Sequence, residues 1–184
     1  MFRGNWELWG AVIAGLILTG VYVAIVFITR QIPPARDLFG ISLGIIGFTF
    51  MLMTEILYSL RKRSRLARWG RMSDWLKFHI FTGLVGPYMV LLHTSWKFNG
   101  LAGVITLFTV VIVISGFIGR YIYTRIPRTA EGLEIESGLS TEALKQARRM
   151  MALWHAIHIP IGLVLFTAAF VHIGGAIYYA VLLR

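Results

Sequence analysis

Five histidines are the residues of this 184-residue chain whose type and spacing could do chemistry. They are His79, His93, His155, His158 and His172. All of them lie in or beside long apolar runs, where an imidazole is costly to bury and is by default a functional residue. Because the chain has no cysteine, disulfides, thiolate metal sites and cysteine-bound iron–sulfur clusters are excluded.

The spacing of four of these histidines is regular. His79 and His93 are 14 residues apart, and so are His158 and His172. In an α-helix, 14 steps of about 100° bring the second residue within about 40° of the first and about 21 Å further along the axis. Each pair is therefore predicted to lie on one face of a helix, with one imidazole near each surface of a membrane.

The composition predicts the elements that carry these histidines. The chain is 57% apolar and 14% charged, with a mean hydropathy of +0.72, which excludes a soluble globular domain and a disordered chain. Uncharged runs of about 20 residues predict membrane helices, and the runs lack the alternation of barrel strands. We predict an all-α integral membrane bundle, a single domain over residues 1–184, with a polar loop at 127–149 and spans at about 8–29, 38–60, 76–96, 101–124 and 150–182.

The basic residues predict the orientation of the bundle. The net charge is +10, but the Lys and Arg residues cluster between apolar runs, which is typical of a membrane protein and not of a nucleic-acid-binding one. With five spans, fourteen Lys and Arg residues fall on the side of the N-terminus and four on the other side. The positive-inside rule then places the N-terminus in the cytoplasm and the C-terminus outside.

The direction of the helices decides which histidines are level with each other. The third and fifth spans run in the same direction, so His79 lies level with His158 near the cytoplasm, and His93 with His172 near the outer surface. Two imidazole pairs at two depths fit two haems with bis-histidine ligation, whereas zinc requires three or four ligands at one point. A span count wrong by one would pair His79 with His172. The alternative without haem is that the histidines bridge helices by hydrogen bonds.

Small residues follow the histidines on the same helix faces. Gly83 and Gly86 follow His79, and Gly162 and Ala169 follow His158, within about 40° of the histidine. They leave room for a macrocycle, or else they serve close packing of membrane helices.

His155 competes with His158 as a ligand. It lies about 100° around the helix from His172 and at the boundary of the apolar layer, so we prefer His158. His155 then hydrogen-bonds a haem propionate, lines a quinone pocket or faces lipid headgroups.

Charged and aromatic residues have supporting roles in this interpretation. Arg120 or Arg125 could pair with propionates on the cytoplasmic side and Lys97 with those on the outer side, or the arginines reach the interface as lipid contacts. Glu55 is interpreted as an ion-pair partner of the basic loop, with proton transfer at a quinone pocket as the alternative. The tryptophans near span ends are interpreted as interface anchors, namely Trp9, Trp75, Trp96 and Trp154.

Two stretches resemble a known family. WLKFHIFTGLVGPYMVLLHTSW and LWHAIHIP, with the twin histidine pairs, resemble the transmembrane domain of ferric reductases and NADPH oxidases and bacterial membrane cytochrome b subunits. The resemblance implies that His79, His93, His158 and His172 ligate two b-type haems stacked across the membrane. Neither the sixth span nor the flavin and nicotinamide domain of those enzymes is found in the sequence, which favours an electron-transfer subunit over a reductase.

These observations predict a di-haem cytochrome b subunit in the cytoplasmic membrane of a bacterium or archaeon. It would carry electrons between a quinone or outer cytochrome and a partner subunit, such as a cytoplasmic flavin or iron–sulfur protein. The basic stretch from Arg61 to Arg71 is a dock for that partner or for anionic lipid, or a topology signal alone. The alternatives are a stand-alone quinol or ferric reductase and a haem-free metal transporter or membrane anchor.

Overall fold

The computed structural model describes residues 5–63, 70–126 and 141–181. These ranges contain five α-helices and no strand: α1 is Trp6–Thr29, α2 Leu38–Arg63, α3 Met72–His93, α4 Gly100–Tyr123 and α5 Thr141–Val181. All five are long and apolar enough to cross a membrane. The prediction of an all-helical fold with five helices long and apolar enough to span a membrane is therefore confirmed for the part of the chain that the structure describes.

The helix bounds differ from the predicted spans at α3 and α5. The third helix ends at His93 because Ser95 and Trp96 adopt left-handed backbone angles, with φ of 51° and 62°. The fifth begins at Thr141, so residues 141–149 of the predicted loop are helical, while residues 127–140 lie outside the described ranges. Its 41 residues span about 61 Å, about twice the hydrocarbon thickness of a bilayer. The charged start of α5 therefore extends beyond the apolar layer.

The chain divides into two compact units, the first containing α1, α2 and α3 and the second α4 and α5. In the first unit, α3 packs against both α1 and α2. The buried core of this unit consists of Tyr22, Leu43, Val85, Met89 and Leu92. The helix with the first histidine pair is thus the central element of its unit.

Two glycines allow the backbones of α2 and α3 to touch. A Cβ on Gly47 would lie 2.9 Å from the carbonyl oxygen of Gly86, and a Cβ on Gly86 would lie 2.8 Å from that of Gly47. Further along the same contact, Thr54 donates a hydrogen bond to the Thr82 hydroxyl at 2.7 Å. The close approach holds the histidine helix against α2 over several turns.

We expect Gly86→Ala to destabilise the first unit. The new methyl group would contact backbone atoms of Gly47 and Met51, and such overpacking costs about 1–3 kcal/mol. Denaturant unfolding in detergent micelles measures the change. Gly15→Ala is the matched control because a Cβ there meets nothing within 4 Å, and alanine is the better helix former. Equal unfolding free energies for the two variants would contradict the prediction.

In the second unit, the end of α4 packs on the beginning of α5. Ile122, Ile126 and Met151 form a buried cluster. Partly buried side chains surround it, among them Leu144 and Trp154. This cluster fixes α5 beside α4 in the turns that precede His155 and His158.

Candidate functional site

The His79 side chain is half-buried on α3 and bonded to α2. Its Nδ1 lies 3.0 Å from the carbonyl oxygen of Thr54. Because a carbonyl can only accept, the ring donates from Nδ1, and the neutral imidazole keeps its lone pair on Nε2. The ring of Tyr58, one turn after Thr54, lies 4.8 Å from the imidazole between centroids. The orientation and tautomer of His79 are therefore set by α2.

His93 makes the same kind of bond near the other end of the helix pair. Its Nδ1 donates to the carbonyl oxygen of Gly40 at 2.8 Å. A helical side chain leans towards the N-terminus and covers the preceding turn, so a side chain at position 44 would cover this carbonyl. Gly44 leaves it open, since a Cβ there would lie 2.9 Å from Nδ1 and 3.1 Å from two ring carbons of His93.

The two accepting carbonyls repeat the spacing of the two histidines. Gly40 and Thr54 are 14 residues apart on α2, as His79 and His93 are on α3. A metal-ligating histidine almost always donates its second ring N–H to a carbonyl, carboxylate or water, which fixes the ring and raises its basicity. Both α3 imidazoles satisfy this requirement through backbone carbonyls. These bonds also bridge α2 and α3, as the alternative without haem predicts, and they leave the lone pair of each ring on Nε2.

In the second unit, His158 lies in a cluster with two other side chains. The Ser115 Oγ is 3.0 Å from His158 Nδ1. The Trp154 indole stacks on the imidazole with 4.5 Å between ring centroids and 29° between ring planes. The indole Nε1 donates to the carbonyl oxygen of Ser115 at 2.7 Å. One residue of α4 thus holds both the imidazole and the aromatic ring that covers it.

Gly119 makes room for the indole of Trp154. A Cβ there would overlap two ring carbons of the tryptophan, so any larger residue would displace it. The interpretation of Trp154 as an interface anchor missed this contact, and Ser115 and Gly119 were not predicted as site residues. A usable signal is the position of the glycine four residues after Ser115, because it uncovers the carbonyl in the same way as Gly44 does on α2.

His155 and His172 are also half-buried on α5. The ring of His155 lies 4.8 Å from that of Trp154 at an angle of 55°, so both candidate ligands contact the same indole. The histidine face of α5 is a packed face, since Ala169 is only 7% exposed. Gly162 faces α4, where a Cβ would lie 3.9 Å from Ile112.

The glycines of α3 face α2. A Cβ on Gly83 would lie 3.5 Å from the Thr54 side chain, which is ordinary contact. Gly86 is buried in the backbone contact with Gly47. For Gly86, the structure therefore supports the helix-packing alternative, because α2 occupies the space that the sequence-based prediction assigned to a macrocycle.

The charged residues of the sequence prediction lie near the helix ends. Arg120 is half-buried, while Arg125 and Lys97 are exposed. The Arg125 guanidinium lies over the ring of Tyr121, 4.7 Å from its centroid, and donates to the phenol oxygen. An arginine held against a tyrosine in this way is placed at the end of a membrane helix, where it could meet a propionate or a lipid phosphate.

Glu55 follows Thr54, the residue whose carbonyl accepts from His79. Its carboxylate is exposed and accepts a hydrogen bond from Ser59 at 3.2 Å. Within the described residues, Glu55 forms no ion pair with the basic loop, of which residues 64–69 lie outside the described ranges. Arg71, at the end of that loop, pairs with Asp74 at 3.0 Å.

The four predicted ligands are divided equally between the two units, with His79 and His93 in the first and His158 and His172 in the second. Which histidine of the first unit shares a haem with which histidine of the second stays a prediction. Within the described ranges, no group of three or more His, Cys, Asp or Glu residues could hold a metal ion.

The fold and the site define an all-helical integral membrane protein with regularly spaced, hydrogen-bonded histidines. No family model matches the chain, and neither a curated protein nor a solved structure shows significant similarity to it. The function is therefore inferred from the residues themselves.

Proposed function

We propose that the chain is a di-haem b-type cytochrome subunit that carries electrons across a membrane. His79 and His158 would ligate the haem on the cytoplasmic side, and His93 and His172 the haem on the outer side. When bound, haems with two histidine ligands have no open axial position and supply one-electron transfer.

The observation that carries this proposal is the pair of Nδ1 bonds on α3. Both bonds bridge α2 and α3, but histidines that only bridge helices need not share one tautomer. Here both rings donate from Nδ1 to carbonyls, which are 14 residues apart like the histidines themselves. Both rings therefore keep a lone pair on Nε2, and a ring nitrogen with a lone pair is what an iron ligand needs.

The other residues of the proposed site bind the haem propionates or orient the ligand imidazoles. Arg120 and Arg125 would pair with propionates on the cytoplasmic side, and Lys97 with those on the outer side. Thr54 and Gly40 keep two imidazoles in the ligating tautomer through their carbonyls. Charge-assisted bonds at the surfaces and fixed imidazoles in the apolar layer would together hold each group at a defined depth.

The proposal includes an orientation and a partner. The N-terminus lies in the cytoplasm and the C-terminus outside, in the cytoplasmic membrane of a bacterium or archaeon, as the distribution of Lys and Arg indicates. The basic end of α2, residues 61–63, faces a cytoplasmic flavin or iron–sulfur subunit. A quinone or an outer cytochrome exchanges electrons at the opposite surface.

The direct test is the haem content of the purified chain. We expect two b-type haems per chain in a pyridine haemochrome assay and a reduced-minus-oxidised spectrum of low-spin haem. The double variant His79→Ala/His93→Ala should be colourless and is the matched control. A colourless wild-type chain would contradict the proposal and support the haem-free transporter or anchor. Turnover of quinol or ferric chelate by the chain alone would instead support a stand-alone reductase.

A further inference from the structure

More groups contact the His158 imidazole than are needed to orient an iron ligand. In the first unit, the imidazoles donate to backbone carbonyls of α2. In the second unit, a serine hydroxyl, an indole and a glycine converge on one histidine. None of these three residues has a role in the function proposed above.

The Ser115 hydroxyl bonds to one nitrogen of His158. The Thr106 and Thr109 hydroxyls on the same helix donate to the carbonyl one turn back at 2.8 Å each, whereas the Ser115 Oγ lies 3.0 Å from the Nδ1 of His158. Either group can donate in this bond. Ligation through Nε2 requires that Nδ1–H donates to Oγ, because only this tautomer leaves a lone pair on Nε2.

The Trp154 indole can select the ring plane. It lies nearly parallel to the imidazole of His158, at 29°, and is inclined by 55° to that of His155. Its own orientation is fixed by the Nε1 bond to the Ser115 carbonyl, which is reachable because Gly119 has no side chain. Rotation of the imidazole about its Cβ–Cγ bond would lose both the stacking and the Ser115 bond.

We propose that Ser115 and Trp154, with Gly119 making room, are positioning residues that fix His158 as the iron ligand in preference to His155. The inference rests on the proposed function, because it assigns a ligand to the haem on the cytoplasmic side. It goes beyond that function because it names the residues of α4 and α5 that determine whether His158 or His155 ligates the iron. His158 bonds to a hydroxyl, whereas both α3 ligands donate to carbonyls.

Separate variants test the Ser115 hydroxyl, the Trp154 indole and the room that Gly119 leaves for the indole. Ser115→Ala should weaken binding of one haem about 10- to 100-fold, as loss of a residue that orients a metal ligand does, and should shift its midpoint potential and electron paramagnetic resonance spectrum. Ser115→Thr keeps a hydroxyl and should restore them. Trp154→Leu and Gly119→Ala should affect the same haem. Gly116→Ala should leave it unchanged, because a Cβ there meets nothing within 4 Å.

A second readout needs no haem. Nitrogen-15 spectra of the histidines in the haem-free chain, in bilayers, report which ring nitrogen carries the proton. We expect His158 to be protonated on Nδ1 in the wild type and to populate both tautomers in Ser115→Ala. Wild-type spectra, potentials and haem affinity in Ser115→Ala and Trp154→Leu would overturn this inference while leaving the proposed function intact. A wild-type chain without haem would overturn the proposed function, and the nitrogen-15 comparison would still decide whether Ser115 orients His158.

Discussion

We expect His79→Ala to reduce the haem content from two haems per chain to one. Loss of the Nε2 ligand leaves a single axial histidine, which does not retain a low-spin b-type haem in a site built for two. His93 keeps its own bond to α2, with Nδ1 2.8 Å from the Gly40 carbonyl, because it is fixed about four helical turns away. The remaining haem should therefore keep its spectrum and midpoint potential. A pyridine haemochrome assay with a redox titration measures both.

The partner of His79 is identified by comparison of three further variants. His158→Ala should remove the same haem as His79→Ala, and the double variant should lose no more than either alone. His155→Ala should keep both haems and is the matched control, since it removes a neighbouring imidazole that contacts the same indole. Loss of a haem in His155→Ala with none in His158→Ala would show that His155 is the ligand. Loss of the same haem in His79→Ala and His172→Ala would show the inverted pairing.

The second large effect is expected from a residue that binds nothing. Gly44→Ala should lower the occupancy of the haem that His93 ligates, because the new Cβ would lie 2.9 Å from the Nδ1 of that histidine. The imidazole must move off the Gly40 carbonyl, so it loses both its orientation and the partner of its N–H. Loss of such a supporting bond weakens metal binding about 10- to 100-fold. Haem titration of the purified haem-free variant measures the change.

The controls for Gly44→Ala distinguish the steric effect of the new methyl group on His93 from its effect on helix propensity. Gly20→Ala introduces the same methyl group in α1, where a Cβ has nothing within 4 Å, and should bind both haems normally. His93→Ala should abolish the haem that Gly44→Ala weakens and leave the haem of His79 unchanged. Normal haem affinity in Gly44→Ala would show that the bond from His93 to the Gly40 carbonyl does not support haem ligation. This conclusion would hold even if His93 is the ligand. Weakened binding of the haem of His79 instead would show that the effect of Gly44→Ala does not act through His93.

The number, length and apolar character of the helices are predictable from the amino-acid sequence alone. Hydropathy predicts them because an apolar run of spanning length must satisfy its backbone within the helix, whatever its neighbours are. The helical period likewise fixes the relative positions of His79 and His93, because 14 residues complete nearly four turns. These are local properties of the chain, and the described residues form five such helices.

The contacts of each helix face, in contrast, depend on how the helices pack. The carbonyls of Gly40 and Thr54, the packing of Gly86 on Gly47 and the contact of Trp154 with Ser115 join helices that are distant in sequence. Helix period fixes a face but not its neighbour, because the choice depends on which pairs of small residues permit close approach. A glycine such as Gly44 or Gly119 acquires its role only when another helix brings a ring to the carbonyl it uncovers.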